Sequence, residues 1–299
     1  TGSWAEKLHP SPDQSLHLRP LRGSHLVFPG WAFPFPEAVT FFHPKDRRPI
    51  FIIPWEGAVI YGTTDVDHSN DLSLEPVISE EEISYLMDGL NVFFPSLEIS
   101  LKDALSSYSG IRPVLSRKHL APSKESREHV VWIDKGLVTI TGGKLTTFRK
   151  LASDALKAAK PFLPQSKPVK DEDFFKSVPG NYTDERISPL ILRRLIGRYG
   201  KGAKEIINDS TPEDLSYIPG TSTVWAEIRY AAKHEAVRHL DDLLLRRVRI
   251  GLITPEGGKE HIGRIKKMCS SVLPWDEAKW DAEINKYLEK WRRSHSVAL

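Results

Sequence analysis

Cysteine is almost missing from this chain: its 299 residues hold one, Cys269, and only two methionines. A lone thiol excludes an internal disulfide framework and any multi-cysteine metal site. No apolar run approaches the length of a transmembrane helix, and no stretch has the pattern of a signal peptide. Excess charge of one sign is missing too. Lys and Arg number 42 against 39 Asp and Glu, a formal +3, too little to argue for a nucleic-acid partner. No Gly-x-Gly-x-x-Gly occurs, so the chain carries no complete dinucleotide-binding βαβ unit of its own. No metal site is expected. The pair His234 and His239 resembles a zinc-protease helix but is spaced by five residues, roughly 140° around a helix, where co-ligands need four.

What is present is the composition of a packed soluble protein, 40% hydrophobic and 27% charged, long enough for two domains. The opening Thr1-Gly2-Ser3-Trp4-Ala5 reads as the end of a strand and the start of a helix, so the chain is expected to be a fragment of something longer. Short runs rich in Val, Ile and Phe between Pro, Gly and charged breaks predict strands at Ser24–Phe28, Ala38–Phe42, Pro49–Ile53 and Val59–Gly62. Ser79 and Glu82 have the spacing of a capping box, and Ile83, Leu86, Met87 and Leu90 follow at helical spacing, predicting a helix to about Phe93. Ala104–Ser109 reads as a strand, and Val130–Asp134 with Leu137–Thr141 as a hairpin turning at Lys135-Gly136. The segment from Lys160 to Asn181 is rich in Pro, Lys and Asp. The predicted division is a mixed α/β domain over 1–165, a linker over 166–181 and an all-helical domain over 182–299. Within the last, a helix over Ile187–Tyr199 stops at Gly200. A long amphipathic helix is predicted over Ser222–Arg249 and a further one over Trp275–Trp291.

The most informative stretch runs from Thr141 to Lys150, with Gly142-Gly143-Lys144-Leu145-Thr146-Thr147 between a strand and an apolar helical stripe. A strand–glycine turn–helix junction aims free N–H groups and the positive end of a helix dipole at whatever lies in front, an anion or an electron-rich ring. A tight turn with a solvated lysine is the alternative. Arg112, in Tyr108-Ser109-Gly110-Ile111-Arg112-Pro113, lies at a strand end, and Arg127 lies in a polar loop before the hairpin. Each alone reads as a solvated charge. With Lys144 they can converge on a phosphate, which arginine binds through its planar fork. His25 near the start of a strand is either a half-buried structural histidine or a general base titrating near neutral pH. Asp65, in Gly62-Thr63-Thr64-Asp65, caps a turn or accepts from a ligand, the turn being favoured.

Taken in order, five motifs resemble one family closely, the FAD-dependent glycerol-3-phosphate dehydrogenases of the respiratory, aerobic type. They are Thr1-Gly2-Ser3-Trp4, Arg22-Gly23-Ser24-His25, Gly62-Thr63-Thr64-Asp65, Tyr108 to Pro113 and Gly142 to Arg149. The stretch from Ala226 to Arg247 is similar to the family's C-terminal cap. The family's leading glycine-rich FAD-pyrophosphate segment has no counterpart here. The resemblance implies a substrate domain of the D-amino-acid-oxidase-like flavoprotein type followed by an all-α cap. It implies oxidation of sn-glycerol 3-phosphate at C2 to dihydroxyacetone phosphate, with hydride passing to flavin N5 and electrons to quinone. It assigns His25, Arg112 and Lys144 to catalysis, and Arg112, Arg127, Lys144 and His25 to substrate. His25 and Arg112 compete for the role of base. Gly2, Gly143, Lys144, Leu145 and Thr146 would contact FAD, backbone N–H groups meeting the flavin edge that gains negative charge.

Expected partners are glycerol 3-phosphate, a quinone, the absent FAD-binding segment, an anionic membrane surface near Arg246-Arg247-Val248-Arg249 and a second copy in a homodimer. The expected location is the cytoplasm or, peripherally, the cytoplasmic face of the inner membrane. The chain alone is expected to be inactive and to bind FAD weakly or not at all. Two rival readings are a related FAD-dependent oxidase using oxygen or acting on glycine-like amines, and a non-enzymatic helical interaction module. The arginine pair and the cap favour the phosphorylated substrate.

Overall fold

The computed structural model describes residues 2–9, 17–33, 35–116, 128–164 and 183–297. The described chain mixes helix and sheet. Its elements in order are helix α1 (Ala5–Leu8), strands β1 (His17–Pro29), β2 (Val39–Phe42), β3 (Pro49–Trp55), β4 (Ala58–Gly62) and β5 (Val66–Asp67), then helix α2 (Glu80–Phe93). Strands β6 (Ser106–Ser116), β7 (His129–Asp134) and β8 (Leu137–Gly142) follow, then helix α3 (Phe148–Ala159). Helices α4 (Pro189–Tyr199), α5 (Gly202–Asn208), α6 (Trp225–His234), α7 (Ile250–Ile253), α8 (Ile262–Cys269) and α9 (Glu277–Ser294) complete the chain. No helix among the described residues is long and apolar enough to cross a membrane. The predicted linker over 166–181 lies outside the described residues.

Two compact units form, each discontinuous in sequence. The first takes Thr1–Ser24, Thr63–Ile78 and Ser109–Glu172; the second takes His25–Gly62, Ser79–Tyr108 and Asp173–Leu299. In the first unit the leading half of β1 pairs antiparallel with β5, Leu21 opposite Asp67 and Arg22 opposite Val66. An Arg19–Asp67 ion pair at 2.6 Å ties the same two strands. Strands β7 and β8 form the predicted hairpin, closing with Asp134 opposite Leu137. Its two-residue turn puts Lys135 at φ 48° and Gly136 at φ 82°, left-handed angles at both central positions that match the strand twist. Helix α3 packs on this hairpin and buries no residue completely.

In the second unit the trailing half of β1 joins β4, β3 and β2 in antiparallel order, His25 opposite Gly62 and Phe51 opposite Gly62 on the other side. Helix α2 starts as its sequence dictates. Ser79 Oγ accepts from Glu82 N, and Glu82 returns a carboxylate oxygen to Ser79 N at 3.0 Å. Leu86 and Leu90 of α2 are buried, and Tyr61 of β4 donates its hydroxyl to Leu86 O at 2.7 Å. Among the described residues after 182 the regular elements are helices, with one isolated bridge, Tyr217 with Val224. Their core gathers Leu240, Leu243, Leu244, Ile265, Trp280 and Tyr287, all almost fully buried.

The long helix predicted over Ser222–Arg249 is broken. Helix α6 ends at His234, and Ala236 turns left-handed at φ 52°. Asp242 then accepts from the backbone N–H groups of Arg238 and His239, and Glu283 accepts from Leu240 N, restarting the helix on a new axis. Asp242–Arg247 continues as a π-helix, with Val248 N donating to Leu243 O five residues back. The apolar spacing survived the break because both pieces face one core. Periodicity records the core, not the continuity of the axis. The rejected pair separates accordingly: His234 meets Glu205 at 2.7 Å, while His239 meets Glu283 at 3.0 Å.

Candidate active site

Three of the five motifs meet around Arg112. Its strand, β6, pairs with β1. Arg112 Nη1 donates to Asp65 Oδ1 at 3.2 Å and to Thr64 O at 3.3 Å, while Nη2 donates to Thr63 Oγ1 at 3.0 Å. The segment carrying these acceptors is itself pinned. Ser24 N donates to Thr64 Oγ1 at 2.9 Å, Thr64 N donates to Ser24 O at 3.3 Å, and the hydroxyls of Ser24 and Ser109 lie 2.7 Å apart. The guanidinium lies directly on Gly23. A Cβ there would fall 2.2 Å from both Nη atoms, so only glycine leaves room for this seat.

Asp65 is therefore the buried counter-ion of Arg112, a role that neither expectation named. Its side chain is 3% exposed and that of Arg112 28%. A charge so placed is fixed in direction before any anion arrives, and its outer edge reaches solvent. The neighbours of Arg112 that the sequence did not connect with it are Gly23, Thr63 and Asp65. The motifs containing them were visible, but the pairing across 47 residues was not.

The second focus is the junction between β8 and α3. Gly142 and Gly143 have φ of 78° and 79°, two successive left-handed residues. A Cβ on Gly142 would meet Glu128 O at 2.7 Å, and one on Gly143 would meet Leu151 at 3.0 Å, so the turn has no space for side chains either. A Cβ on Gly142 would also come within 3.0 Å of Leu115, three residues beyond Arg112 on β6. Lys144 then caps a short 3₁₀ turn over Leu145–Thr147, its carbonyl accepting from both N and Oγ1 of Thr147. Lys144, Leu145 and Thr146 are exposed, Leu145 at 90%. Behind the turn, His129 Nε2 of β7 reaches Asp154 at 3.0 Å and ties α3 to the hairpin, while Lys150 Nζ reaches the same carboxylate at 3.0 Å from within α3. Hydrogen bonds from Lys150, ahead of that from His129, hold the Asp154 carboxyl below its usual range.

The remaining expected residues fall as follows. Gly2 opens a 3₁₀ turn at φ 55° in the first unit, with open space where a Cβ would stand. Ser3 and Lys7 just beyond it line a 300 Å³ cavity together with Pro113, the neighbour of Arg112. His25 belongs to the second unit, half-buried on β1, its ring stacked on Tyr108 at 4.7 Å and 9° between planes. Arg127 lies outside the described residues.

Comparison with known proteins agrees with the motif reading. Residues 138–280 match the family model described as the C-terminal domain of alpha-glycerophosphate oxidase. Glycerol-3-phosphate dehydrogenase 2 of Mycobacterium tuberculosis is 30% identical over 310 residues, covering 97% of this chain and 52% of that protein. The mitochondrial glycerol-3-phosphate dehydrogenase of Bos taurus is 30% identical, covering 96% of this chain and 42% of the relative. The aerobic glycerol-3-phosphate dehydrogenase of Staphylococcus aureus is 31% identical, covering 82% and 48%. The chain thus spans about half the length of the curated relatives it matches. A solved glycerol-3-phosphate dehydrogenase from Bacillus halodurans, complexed with FAD, shares the fold at a TM-score of 0.73 and 23% identity, covering 100% of this chain and 62% of that one. The resemblance to glycerol-3-phosphate dehydrogenases therefore runs along nearly the whole chain and is not confined to its motifs.

Proposed function

We propose that this chain supplies the substrate-binding part and the helical cap of an FAD-dependent enzyme that oxidises sn-glycerol 3-phosphate to dihydroxyacetone phosphate and passes the electrons to quinone. The observation that carries the reading is the seat of Arg112. Three separated motifs build a fixed guanidinium with a buried counter-ion, in the same compact unit as the Gly142-Gly143-Lys144 junction. A fork held in one orientation suits a phosphate monoester better than a mobile lysine would. Names of the relatives, which are glycerol-3-phosphate dehydrogenases, support the substrate.

The junction fits a flavin edge. Its two left-handed glycines admit no side chain; Lys144 N donates to Thr147 Oγ1 at 3.3 Å, and the exposed N–H groups of Leu145 and Thr146, at the start of the 3₁₀ turn, have no backbone acceptor within it. In this reading Gly143, Lys144, Leu145 and Thr146 hold FAD by that edge, and Gly2 belongs to the turn that closes the cofactor site. Bound FAD supplies the hydride acceptor. Lys144 lies close to substrate and cofactor, and Arg112 and Arg127 grip the substrate phosphate. His25 accepts the C2 hydroxyl proton, with Arg112 the competing candidate; an imidazole matches that task at neutral pH. Residues 1–165 form the substrate and cofactor-contacting part, 166–181 the linker and 182–299 the cap. Peripheral attachment to a membrane places the enzyme near its quinone.

The test compares KM for glycerol 3-phosphate and for free glycerol in the protein carrying this chain. Arg112→Ala is expected to raise the first far more than the second. Equal effects on both would remove Arg112 from the phosphate site. Hydrogen peroxide formed in step with substrate oxidation, without quinone reduction, would overturn the acceptor.

A further inference from the structure

The second unit has a basic pocket that the proposed chemistry does not use. It is a cavity of about 540 Å³ lined by Arg194, Arg198, Arg246, Arg247 and Arg249, with Glu56 and Glu235. Part of the cluster is a structural lock. Glu56, at the β3–β4 turn, receives Arg194 at 2.5 Å, Arg198 at 2.9 Å and Arg249 at 3.4 Å. Glu227, fully buried on α6, receives Arg194 again at 2.8 Å and Arg198 at 3.6 Å. Two carboxylates thus answer three guanidinium groups. Arg246 turns to Asp241 at 2.9 Å, while Arg247 spends its Nε on the backbone carbonyl of Glu235 at 2.6 Å. Asp242 also takes Arg246, at 3.2 Å, so carboxylates hold Arg194, Arg198, Arg246 and Arg249, while Arg247 is held through its Nε by a carbonyl; Arg247 and Arg249 both face the cavity.

The backbone there departs from ordinary helix twice. Arg246 and Arg247 sit in the last turn of the π-helix, a form concentrated at functional sites. Arg249 adopts φ 59° and ψ 14°, a left-handed conformation that disfavours any residue with a Cβ. Its side chain lies over the Trp55 ring at 5.3 Å. A solvated arginine would need none of this. Consistent with crowding by like charge, burial and then the field of Arg198 push the Arg249 guanidinium below its usual range.

We infer that this pocket binds a phosphorylated small molecule or phosphate ion through Arg247 and Arg249, at a site separate from Arg112. The shared chemistry is a phosphate dianion, which takes several guanidinium donors at once. A free anion and a lipid headgroup share this chemistry, and the vesicle arm of the experiment separates them. The inference stands independently of the proposed dehydrogenase activity.

Calorimetric titration of the full chain with inorganic phosphate, at matched ionic strength against chloride, tests it. Arg112→Ala serves as background so that the candidate active site is silent. Saturable binding is expected there, weakened roughly tenfold or more by the Arg247→Gln, Arg249→Gln pair, as loss of charge-assisted donors demands. Should the pair fail to fold by circular dichroism, Arg249→Gln alone reads the same loss, and Arg247→Lys should retain part of the affinity. Unsaturable heats, or binding unchanged by the pair, would overturn the site. So would sedimentation with phosphatidylglycerol vesicles that depends on the two arginines while free phosphate has no effect.

Discussion

Replacing Gly23 with alanine isolates the seat of Arg112. The backbone of Gly23 is not in the left-handed region, so alanine can adopt it. Without a clash, the change would stabilise the fold by about 0.4–1 kcal/mol, because the unfolded chain loses freedom. The structure demands the opposite sign. A Cβ would stand 2.2 Å from both Nη atoms and 2.4 Å from Cζ, whereas atoms in contact rest at ~3.5 Å. Arg112 can escape only by leaving Asp65 and Thr63. Breaking a fully buried pair costs about 3–5 kcal/mol. With Arg112 28% exposed and able to find water, roughly 1–3 kcal/mol is the reasonable loss. The net expectation is destabilisation of roughly 0.5–2 kcal/mol, accompanied by a higher KM for the phosphorylated substrate. Chemical denaturation measures the first and steady-state kinetics the second. The double variant with Arg112→Ala completes the cycle, since removing the guanidinium should return Gly23→Ala to neutral or mildly stabilising. Destabilisation that persists undiminished in that background would refute the steric argument.

Three further outcomes follow from the second unit. Burial raises the carboxyl of Glu283, but hydrogen bonds from Lys279, His239 and Leu240 N outweigh it and bring it down to about 2; Asp241 is likewise brought to about 2 against burial by Lys290 and Arg246. Carboxyls depressed in the folded state add stability above their unfolded range near pH 4 and lose it as pH falls toward 2. Denaturation midpoints should therefore drop across that window, and less steeply in Glu283→Gln; stability rising on acidification would contradict the pairing. Cys269 is buried, and burial pushes its thiol up to about 12, so a thiol reagent should label it only on unfolding. Ala236→Gly should stabilise by about 0.5–1 kcal/mol, because glycine accepts the left-handed break that follows α6 at less cost than alanine. An unchanged or lower midpoint would place the helix break elsewhere.

Local chemistry was legible in the sequence wherever a few neighbouring residues suffice. The Ser79–Glu82 capping box, the Lys135-Gly136 hairpin, the stop of α4 at Gly200 and the glycine turn before α3 each depend on contacts within four or five positions. The motifs that carry the family resemblance were legible for the same reason. The continuous helix over Ser222–Arg249 was not, because apolar spacing reports which face meets the core and is blind to a left-handed residue between two pieces. The pairing of Asp65 with Arg112 was not legible because the two stand 47 positions apart.

The sequence by itself determined the strands, caps and turns, the mixed helix and sheet character, and the residues around which chemistry is proposed. The tertiary structure decided the rest. It placed Arg112 on Gly23 against Asp65. It divided β1 between two compact units at Ser24 and His25. It also drew arginines from α4 and from the turn after the π-helix around Glu56. Such pairings join positions far apart in sequence, and their stability comes from burial and charge compensation that exist only once the chain has folded.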